Sequence, residues 1–352
     1  TRGRSLALPA MIPQEKLAAV TVGLREAFGV NEFEDISRIT KGHTSSLVFR
    51  MIVRGSPYLL KIITRTEDPT RHYTSMRAAA EAGLAPQVWY TDIEDKISIT
   101  DFVEAEPLSV SEARVRLPAS LRTLHSLPPF GRAPYNTTCA FLIDKGPLLD
   151  GYLQKFQAAN ILPKAENEEF FARYTELAAV YPHDDAEMVS SHNDLFKPDN
   201  ILFDGQRVRL VDWEAAFLND RYADLAAVAN QVVTNDEEEM IFLQEYFGAA
   251  PNPYQLARFH LMQQIAHLFY SMAFLSLGSS GQPVDWSGAV PEFRDYQRRI
   301  WAGEVDLAEK DVKPVYGRVH WEQLVQNVRQ ARYIQALRIV SDRERSLRSN
   351  LH

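Results

Sequence analysis

Three oxygen-bearing side chains, Asp194, Asn200 and Asp212, lie around one short pair of predicted strands between residues 190 and 216. In such a set one carboxylate can accept a proton from an attacking hydroxyl, and another can hold a divalent metal on phosphate oxygens. An amide oxygen completes the kind of site that magnesium prefers. Asp194 is therefore the candidate base, and Asn200 and Asp212 are the candidate metal ligands. We expect His192 to hold the loop by packing and hydrogen bonding.

Two further features are compatible with phosphate chemistry. Lys61 lies inside a predicted strand whose same-face neighbours, Leu59 and Ile63, are apolar, and a charge buried there needs a partner. The alternative is an edge-strand lysine that reaches solvent. A polar hairpin around Gly42 can offer an anion its backbone N–H groups and the hydroxyls of Thr44, Ser45 and Ser46, although such a hairpin can also be a simple turn.

The elements that must position these residues fall into two parts. The first is rich in β-forming runs joined by tight turns, with one helix over about 70–82, and the chain becomes mostly helical from residue 109 onward. This pattern predicts an α+β protein with a cleft between two lobes. The predicted parts are an N-terminal lobe over 1–103 that includes a helix at 13–28, and a C-terminal lobe over 104–352 that ends in a tail helix at about 320–348.

Composition excludes several classes of protein. A chain of 352 residues with net charge −8 and pI near 5.7 lacks the basic surface that nucleic acid or an anionic membrane requires. Cys139 is the only cysteine, so no intrachain disulfide and no two-cysteine zinc site can form. The longest apolar run is too short to cross a bilayer. We expect a soluble, cytoplasmic protein.

The ordered strings "KGHTSSLVFR", "YLLKIIT", "ITDFVEAEPLS", "LRTLH", "HNDLFKPDNILFD" and "LVDWEAAFLNDRYADLA" resemble the aminoglycoside phosphotransferase and choline kinase superfamily, relatives of protein kinases. The resemblance spans roughly residues 36–271 and rests on the whole ordered set. The forms "HND" and "DWE", with a later "ND" and "DLA", are more similar to the choline and ethanolamine kinase branch. The resemblance implies a two-lobed, protein-kinase-like fold.

It also implies ATP and Mg²⁺ as cofactors and a role for each matching residue. Asp194 would be the base, Asn200 and Asp212 would bind magnesium, and Lys61 would contact the α- and β-phosphates. Residues of the polar hairpin, Gly42 and Thr44 to Ser46, would cover the phosphates. Backbone groups of Asp101 and Val103 would bind adenine, and Asp224 would brace the catalytic loop.

Three departures from the family pattern leave questions open. Five residues separate Asp194 from Asn200 where the family has four, so Asp199 is an alternative metal ligand. The helix after Lys61 carries only Glu81, at its far end, so the partner of Lys61 is undetermined. The aromatic positions of a choline site are also altered. The residues that remain as acceptor contacts are Glu214, Phe217, Tyr222, Gln231, His267 and Tyr270, with Trp286 as a further wall.

The leading hypothesis is therefore an ATP- and Mg²⁺-dependent kinase acting on a small-molecule hydroxyl, with an amino alcohol such as choline or ethanolamine as acceptor. An alternative keeps the chemistry and takes an aminoglycoside-like antibiotic or a sugar as acceptor. A third is a catalytically weak, nucleotide-binding pseudokinase. Neither nucleic acid nor a membrane is an expected partner, and a homodimer is left open.

Overall fold

A computed structural model describes residues 11–40, 46–131, 149–182 and 188–350. The chain divides into two compact units. Unit 1 comprises residues 1–108 and 199–216, and unit 2 comprises residues 109–198 and 217–352. The segment 199–216 thus belongs with the N-terminal part of the chain, although it is far from that part in sequence.

Unit 1 contains a sheet whose five described strands all pair antiparallel, in the order β1-β2-β3-β5-β4. The predicted β-rich runs form these strands, because alternating β-branched and aromatic residues suit a half-buried sheet. Their bounds are β1 Asp35–Ile39, β2 Ser46–Val53, β3 Ser56–Ile63, β4 Val88–Asp92 and β5 Ile97–Asp101.

Two helices accompany this sheet. The predicted N-terminal helix is confirmed as α1, Gln14–Phe28, and the predicted helix after β3 is confirmed as α2, Thr70–Glu81. One face of α1 packs with the sheet around a buried apolar core, which keeps the strands in register because a slip would expose their apolar faces. The central members of this core are Leu24, Ile36, Phe49, Met51, Leu60, Ile62, Ile97 and Ile99.

The predicted hairpin of residues 201–210 is also confirmed. Strand β7, Ile201–Phe203, pairs antiparallel with β8, Val208–Leu210. The Asp204 carboxylate accepts the backbone N–H groups of Gln206 and Arg207 at 2.9 and 2.7 Å, which closes the turn. Gly205 has φ +90°, a conformation that glycine adopts most readily. The hairpin is thus well defined, and its open end, opposite the turn, carries Asn200 before β7 and the chain toward Asp212 after β8.

Unit 2 is mainly helical. Ser109 caps its first helix by accepting the backbone N–H of Glu112. Two short strands, β6 Met188–Ser191 and β9 Phe217–Asp220, pair antiparallel and flank residues 192–216 in the sequence. The helices up to residue 301 are α3 Val110–His125, α4 Leu149–Ala158, α5 Lys164–Val180, α6 Arg221–Val232, α7 Asp236–Phe247, α8 Pro253–Ser279 and α9 Phe293–Trp301.

The C-terminal tail differs from its prediction. Instead of a single helix over about 320–348, the chain forms α10, Val312–Val328, and α11, Ala331–Ser349. Gln330 is extended, with ψ 147°, and separates them. The apolar spacing continues through this break without proline or glycine, so the sequence does not signal it. Both helices pack on α8. None of the helices in the described ranges combines the length and apolar character that crossing a membrane requires.

Candidate active site

Lys61 lies in β3, and its side chain is 8% exposed. Its Nζ is 3.1 Å from Asp212 Oδ1 and 2.5 Å from Glu214 Oε1, so one buried cation contacts two carboxylates of the same unit. Burial lowers the pKa of Lys61, but attraction to Asp212 and Glu214, with hydrogen bonds to both, outweighs burial and raises the pKa above its ordinary value. The ammonium is therefore charged at neutral pH, and its partners are this acidic pair.

The two acids lie in the short segment that follows β8. Asp212 has φ 61° and ψ 69°, in the left-handed region that aspartate tolerates better than most residues. A 3₁₀ turn over Trp213–Ala215 follows, and Trp213 is buried with its Nε1 donating to the Leu210 carbonyl at 3.0 Å. The tryptophan anchors the segment in the core, while the side chains of Asp212 and Glu214 remain 23% and 37% exposed.

Helix α2 holds the same segment through its first turn. Arg71 donates to the backbone carbonyls of Ala216 at 2.7 Å and Glu214 at 3.0 Å. The next residue, His72, is buried, and burial is the main reason that its pKa is lowered to about 4. We call Lys61, Asp212 and Glu214 the Lys61 cluster. Near this cluster α2 contributes the Arg71 cation, which binds backbone carbonyls, and the neutral ring of His72. The one acid of the helix, Glu81, is its last residue.

The candidate metal ligands lie at the open end of the β7–β8 hairpin, Asn200 just before β7 and Asp212 just after β8. The Asn200 carbonyl accepts the N–H of Val211 at 3.1 Å, which places Asn200 beside the residue that precedes Asp212. Asn200 is buried, whereas Asp199 is exposed. In the described part of the chain no three His, Cys, Asp or Glu side chains are grouped to hold a metal. The oxygens of Asn200 and Asp212 fit a magnesium ion that shares its coordination with nucleotide phosphates.

In unit 2, Asp224 binds the loop that carries Asp194. It is buried on α6, and its Oδ2 and Oδ1 accept the backbone N–H groups of His192 and Asn193, each at 2.9 Å. His125 Nε2 lies 3.2 Å from Asp224 Oδ2. Burial raises the pKa of Asp224, but the hydrogen bond and charge of His125, with those of His192, outweigh it and lower the pKa below its ordinary value. Both oxygens of the Asp224 carboxylate are thus engaged by groups of unit 2.

The residues next to Asp194 are held in one conformation. Asn193 has φ 67°, and its side-chain oxygen accepts from Asn219 Nδ2 at 2.8 Å. The backbone N–H of Asp194 donates to His192 Nδ1 at 3.2 Å. The side chain of Asp194 itself is half-buried. The loop therefore presents Asp194 from a fixed backbone.

Aromatic rings and one amide surround the residues that follow Asp194. The ring centroid of Phe196 is 5.0 Å from that of Tyr270 and 5.6 Å from that of Phe274. Gln231 Nε2 donates to the Leu195 carbonyl, and its Oε1 is buried without a hydrogen-bond partner in the described residues. Phe196 and Phe274 were not predicted from the sequence, although Phe274 lies one helical turn after Tyr270.

Tyr222 and Trp286, two aromatic residues that were expected to line the acceptor site, each contact an arginine of the protein. The guanidinium of Arg258 lies 5.2 Å from the Tyr222 ring centroid, and that of Arg318 lies 4.8 Å from the Trp286 ring. Arg258 also pairs with Asp220 at 2.6 Å. A ring face that is occupied by arginine does not offer the same face to a ligand cation.

Two other expected contacts are engaged within unit 2. Phe217 lies in β9 and pairs with Ser191 of β6. His267 Nδ1 is 2.8 Å from His320 Nδ1, and the His267 ring contacts Phe293 edge-on. Burial lowers the pKa of His267 to about 3, so the ring is neutral. Glu214, also expected as an acceptor contact, is bound to Lys61 as described above.

The predicted nucleotide contacts are only partly described. Gly42, Thr44 and Ser45 lie outside the described residues, and Ser46 is buried at the start of β2. The N–H of Asp101 donates to the Gln87 carbonyl at 2.9 Å, and its Oδ1 accepts from Trp89 Nε1 at 2.7 Å. Val103 borders a cavity of about 790 Å³ that also reaches α2, and the Lys61 cluster does not line this cavity.

With the geometry in view, comparisons with known proteins identify the family. The model of the phosphotransferase enzyme family (APH) matches residues 35–259, which include Lys61, Asp194 and Asp212. No curated protein sequence matches the chain.

Several solved structures are similar to this chain. One is a choline/ethanolamine kinase family protein from Mesorhizobium loti, at 19% identity over 92% of this chain and 98% of that one, with TM-score 0.62. Another is the choline kinase LicA from Streptococcus pneumoniae, at 16% identity over 90% and 99%, with TM-score 0.55. A third is a spectinomycin phosphotransferase in complex with ADP and spectinomycin, at 14% identity over 86% and 98%, with TM-score 0.51.

These structural matches confirm the predicted protein-kinase-like α+β fold. The family match extends over more than half of the chain and includes Lys61, Asp194 and Asp212. The chain therefore belongs to the phosphotransferase enzyme family and is a small-molecule phosphotransferase.

Proposed function

We propose that this phosphotransferase uses ATP and Mg²⁺ to phosphorylate the hydroxyl of a small amino alcohol. The observation that carries the proposal is the contact of Lys61 with Asp212 and Glu214, at 3.1 and 2.5 Å. A lysine fixed beside a metal-binding acid is the arrangement that phosphoryl transfer uses to neutralise a nucleotide's phosphates.

On the nucleotide side, Lys61 contacts the α- and β-phosphates, and Asp212 and Asn200 hold the metal. When bound, magnesium neutralises charge on the β- and γ-phosphates. Asn200 is preferred to Asp199 because it is buried and joined to Val211. Hairpin residues Gly42, Thr44, Ser45 and Ser46 cover the phosphates. Backbone groups of Asp101 and Val103 bind adenine, and the N–H of Asp101 does not contribute because it is already bonded to the Gln87 carbonyl.

In the transfer step, the Asp194 carboxylate accepts the proton of the acceptor hydroxyl. The hydroxyl oxygen forms its bond to the γ-phosphorus as the bond from that phosphorus to the bridging β–γ oxygen breaks. The products are a phosphate monoester and ADP. Asp224 and His192 support the step by fixing the backbone on which Asp194 lies.

The surroundings of Asp194 favour a primary amino alcohol such as ethanolamine over choline. The buried Gln231 Oε1 can accept from an ammonium N–H, whereas a trimethylammonium group has no N–H to donate. Phe196, Tyr270 and Phe274 supply apolar contact for the carbon chain. The ring faces of Tyr222 and Trp286, which a quaternary ammonium would favour, hold Arg258 and Arg318.

The direct test is ADP release with ethanolamine, choline, sugars and aminoglycosides, followed by ³¹P NMR of the product. We expect turnover with amino alcohols, a higher kcat/KM for ethanolamine than for choline, and a kcat that is about 10²–10⁴-fold lower in Asp194→Asn. Turnover with aminoglycosides or sugars alone would show that the acceptor belongs to one of those classes and is not an amino alcohol. Thermal stabilisation by Mg²⁺ and ATP without ADP formation from any acceptor would favour a nucleotide-binding pseudokinase.

A further inference from the structure

The lysine of a kinase site commonly pairs with a glutamate of the helix that follows its strand. Helix α2 does not provide that acid. The residue that it places near the Lys61 cluster is His72, which is buried and cannot carry a negative charge. Its Nδ1 has no hydrogen-bond partner among the described residues. Glu81 is the last residue of the helix.

Glu214 instead makes the shortest contact with Lys61. The distance from its Oε1 to Lys61 Nζ is 2.5 Å, compared with 3.1 Å from Asp212 Oδ1. Lys61 and Glu214 are 153 residues apart in sequence but lie in one compact unit. The contact is a charge-assisted hydrogen bond, which is shorter and stronger than a neutral one.

The backbone under Glu214 is fixed from both sides. Arg71 donates to the carbonyl of Glu214 itself at 3.0 Å and to that of Ala216 at 2.7 Å. Trp213, the preceding residue, is buried and bonded to the Leu210 carbonyl. Helix α2 therefore still takes part in positioning the lysine, but through a cation that holds the backbone of the acid.

We infer that Glu214 is a positioning residue that holds Lys61 for nucleotide binding, in place of an acid on α2. The inference rests on the proposed function and deepens it. The two neighbouring acids then have different roles: Asp212 binds the metal, and Glu214 holds the lysine in place. His72 occupies the place from which α2 would otherwise supply the anchor.

The test distinguishes a residue that positions Lys61 from a residue that binds the metal. ATP affinity is measured by calorimetry without an acceptor, at several Mg²⁺ concentrations. We expect Glu214→Gln to weaken ATP binding about tenfold, the effect of losing one charge-assisted hydrogen bond, at every Mg²⁺ concentration. Asp212→Asn should instead raise the Mg²⁺ concentration needed for binding. Glu67→Gln, an exposed acid before α2, is the matched control and should match the wild type.

Rescue provides a second readout that a merely structural role would not produce. His72→Glu in the Glu214→Gln background should restore most of the ATP affinity, whereas His72→Gln in the same background should not. Melting temperatures establish that each variant is folded. If Glu214→Gln does not fold, Glu214→Asp keeps the charge but shortens the side chain, and it should weaken ATP binding in the same way.

The outcomes also distinguish this inference from the proposed function. A wild-type protein that binds no ATP would overturn the proposed function. Unchanged ATP affinity in Glu214→Gln would overturn the inference alone. An increased Mg²⁺ requirement in that variant, with normal ATP affinity at saturating Mg²⁺, would make Glu214 a metal ligand and would also overturn it.

Discussion

Two clusters built around carboxylates have different surroundings in this molecule. In unit 1, Asp212 and Glu214 share the single cation of Lys61 and remain partly exposed. In unit 2, Asp224 is 1% exposed and accepts two backbone N–H groups besides its contact with His125. A ligand can therefore reach the carboxylates of the first cluster, whereas the carboxylate of the second is buried and bonded to other groups of the protein.

The difference between the two clusters shows which property of an acid indicates a role in binding or catalysis. The pKa values of Glu214 and Asp224 are both lowered, and in both cases favourable partners outweigh the effect of burial. A lowered pKa therefore does not separate a reactive acid from a structural one. Exposure and the kind of partner do, because a carboxylate that is surrounded by backbone donors has little capacity left for a ligand.

The largest effect is expected at Asp194, which belongs to the loop that Asp224 braces. Asp194→Asn should lower kcat by about 10²–10⁴-fold, since the proton acceptor is lost, and should leave the urea unfolding midpoint unchanged. Asp199→Asn, on the same loop and exposed, is the control and should retain turnover. A near-normal kcat in Asp194→Asn would show that Asp194 is not the proton acceptor.

Asp224→Asn should show the opposite pattern. We expect a loss of about 3–5 kcal/mol in the free energy of unfolding, because an amide cannot accept from both backbone N–H groups and leaves buried donors without a partner. Urea unfolding measures this loss. Asp236→Asn, an exposed acid in the first turn of α7, should change stability by about 1 kcal/mol or less. A stable but inactive Asp224→Asn would break the comparison between the clusters.

Acid should destabilise unit 2 through buried histidines. Burial lowers the pKa of His260 and of His267 to about 3 each. Between that value and the ordinary 6.5 the unfolded chain binds protons that the folded chain does not, so stability falls as pH decreases from about 6.5. The expected slope is about 1.4 kcal/mol per pH unit for each histidine.

Urea unfolding at pH 7, 6 and 5 measures this slope, and His260→Gln should reduce it. A free energy of unfolding that stays constant across this range would contradict the prediction.

Arg71 gives the smallest expected effect and tests how α2 supports the unit 1 cluster. Arg71→Ala should cost about 1–2 kcal/mol in unfolding free energy, because two hydrogen bonds from a charged donor are lost, and should weaken ATP binding a fewfold. Thr74→Ala, an exposed residue on the same helix whose hydroxyl donates to the Thr70 carbonyl, should leave ATP affinity unchanged. Equal ATP affinities in the two variants would exclude this role for Arg71.

Much of the fold followed from local patterns. The strands of unit 1, helices α1 and α2 and the β7–β8 hairpin were predictable because turn residues, capping residues and apolar spacing act within a few residues. The break between α10 and α11 was not predictable, because the apolar spacing continues through residues 329 and 330. The extended backbone of Gln330 carries no local signal.

The candidate site was predictable only in part, for a related reason. Lys61 could be recognised as a charge that needs a partner, but that partner follows a strand 151 to 153 residues later. Likewise, Tyr222 and Trp286 resembled free aromatic walls until tertiary packing placed Arg258 and Arg318 on them. Local sequence specifies which groups require partners, and the tertiary fold determines which residues meet.

The left-handed backbone at Asp212 restricts which residues evolution or design can place there. Glycine, asparagine and aspartate adopt φ 61° at low cost, and of these only aspartate brings a negative charge. Asn193, with φ 67°, has the same backbone restriction without the need for charge. In a library of all substitutions, position 212 should therefore tolerate three residues for folding and one for activity, while position 193 should tolerate glycine and aspartate for folding as well as its own asparagine.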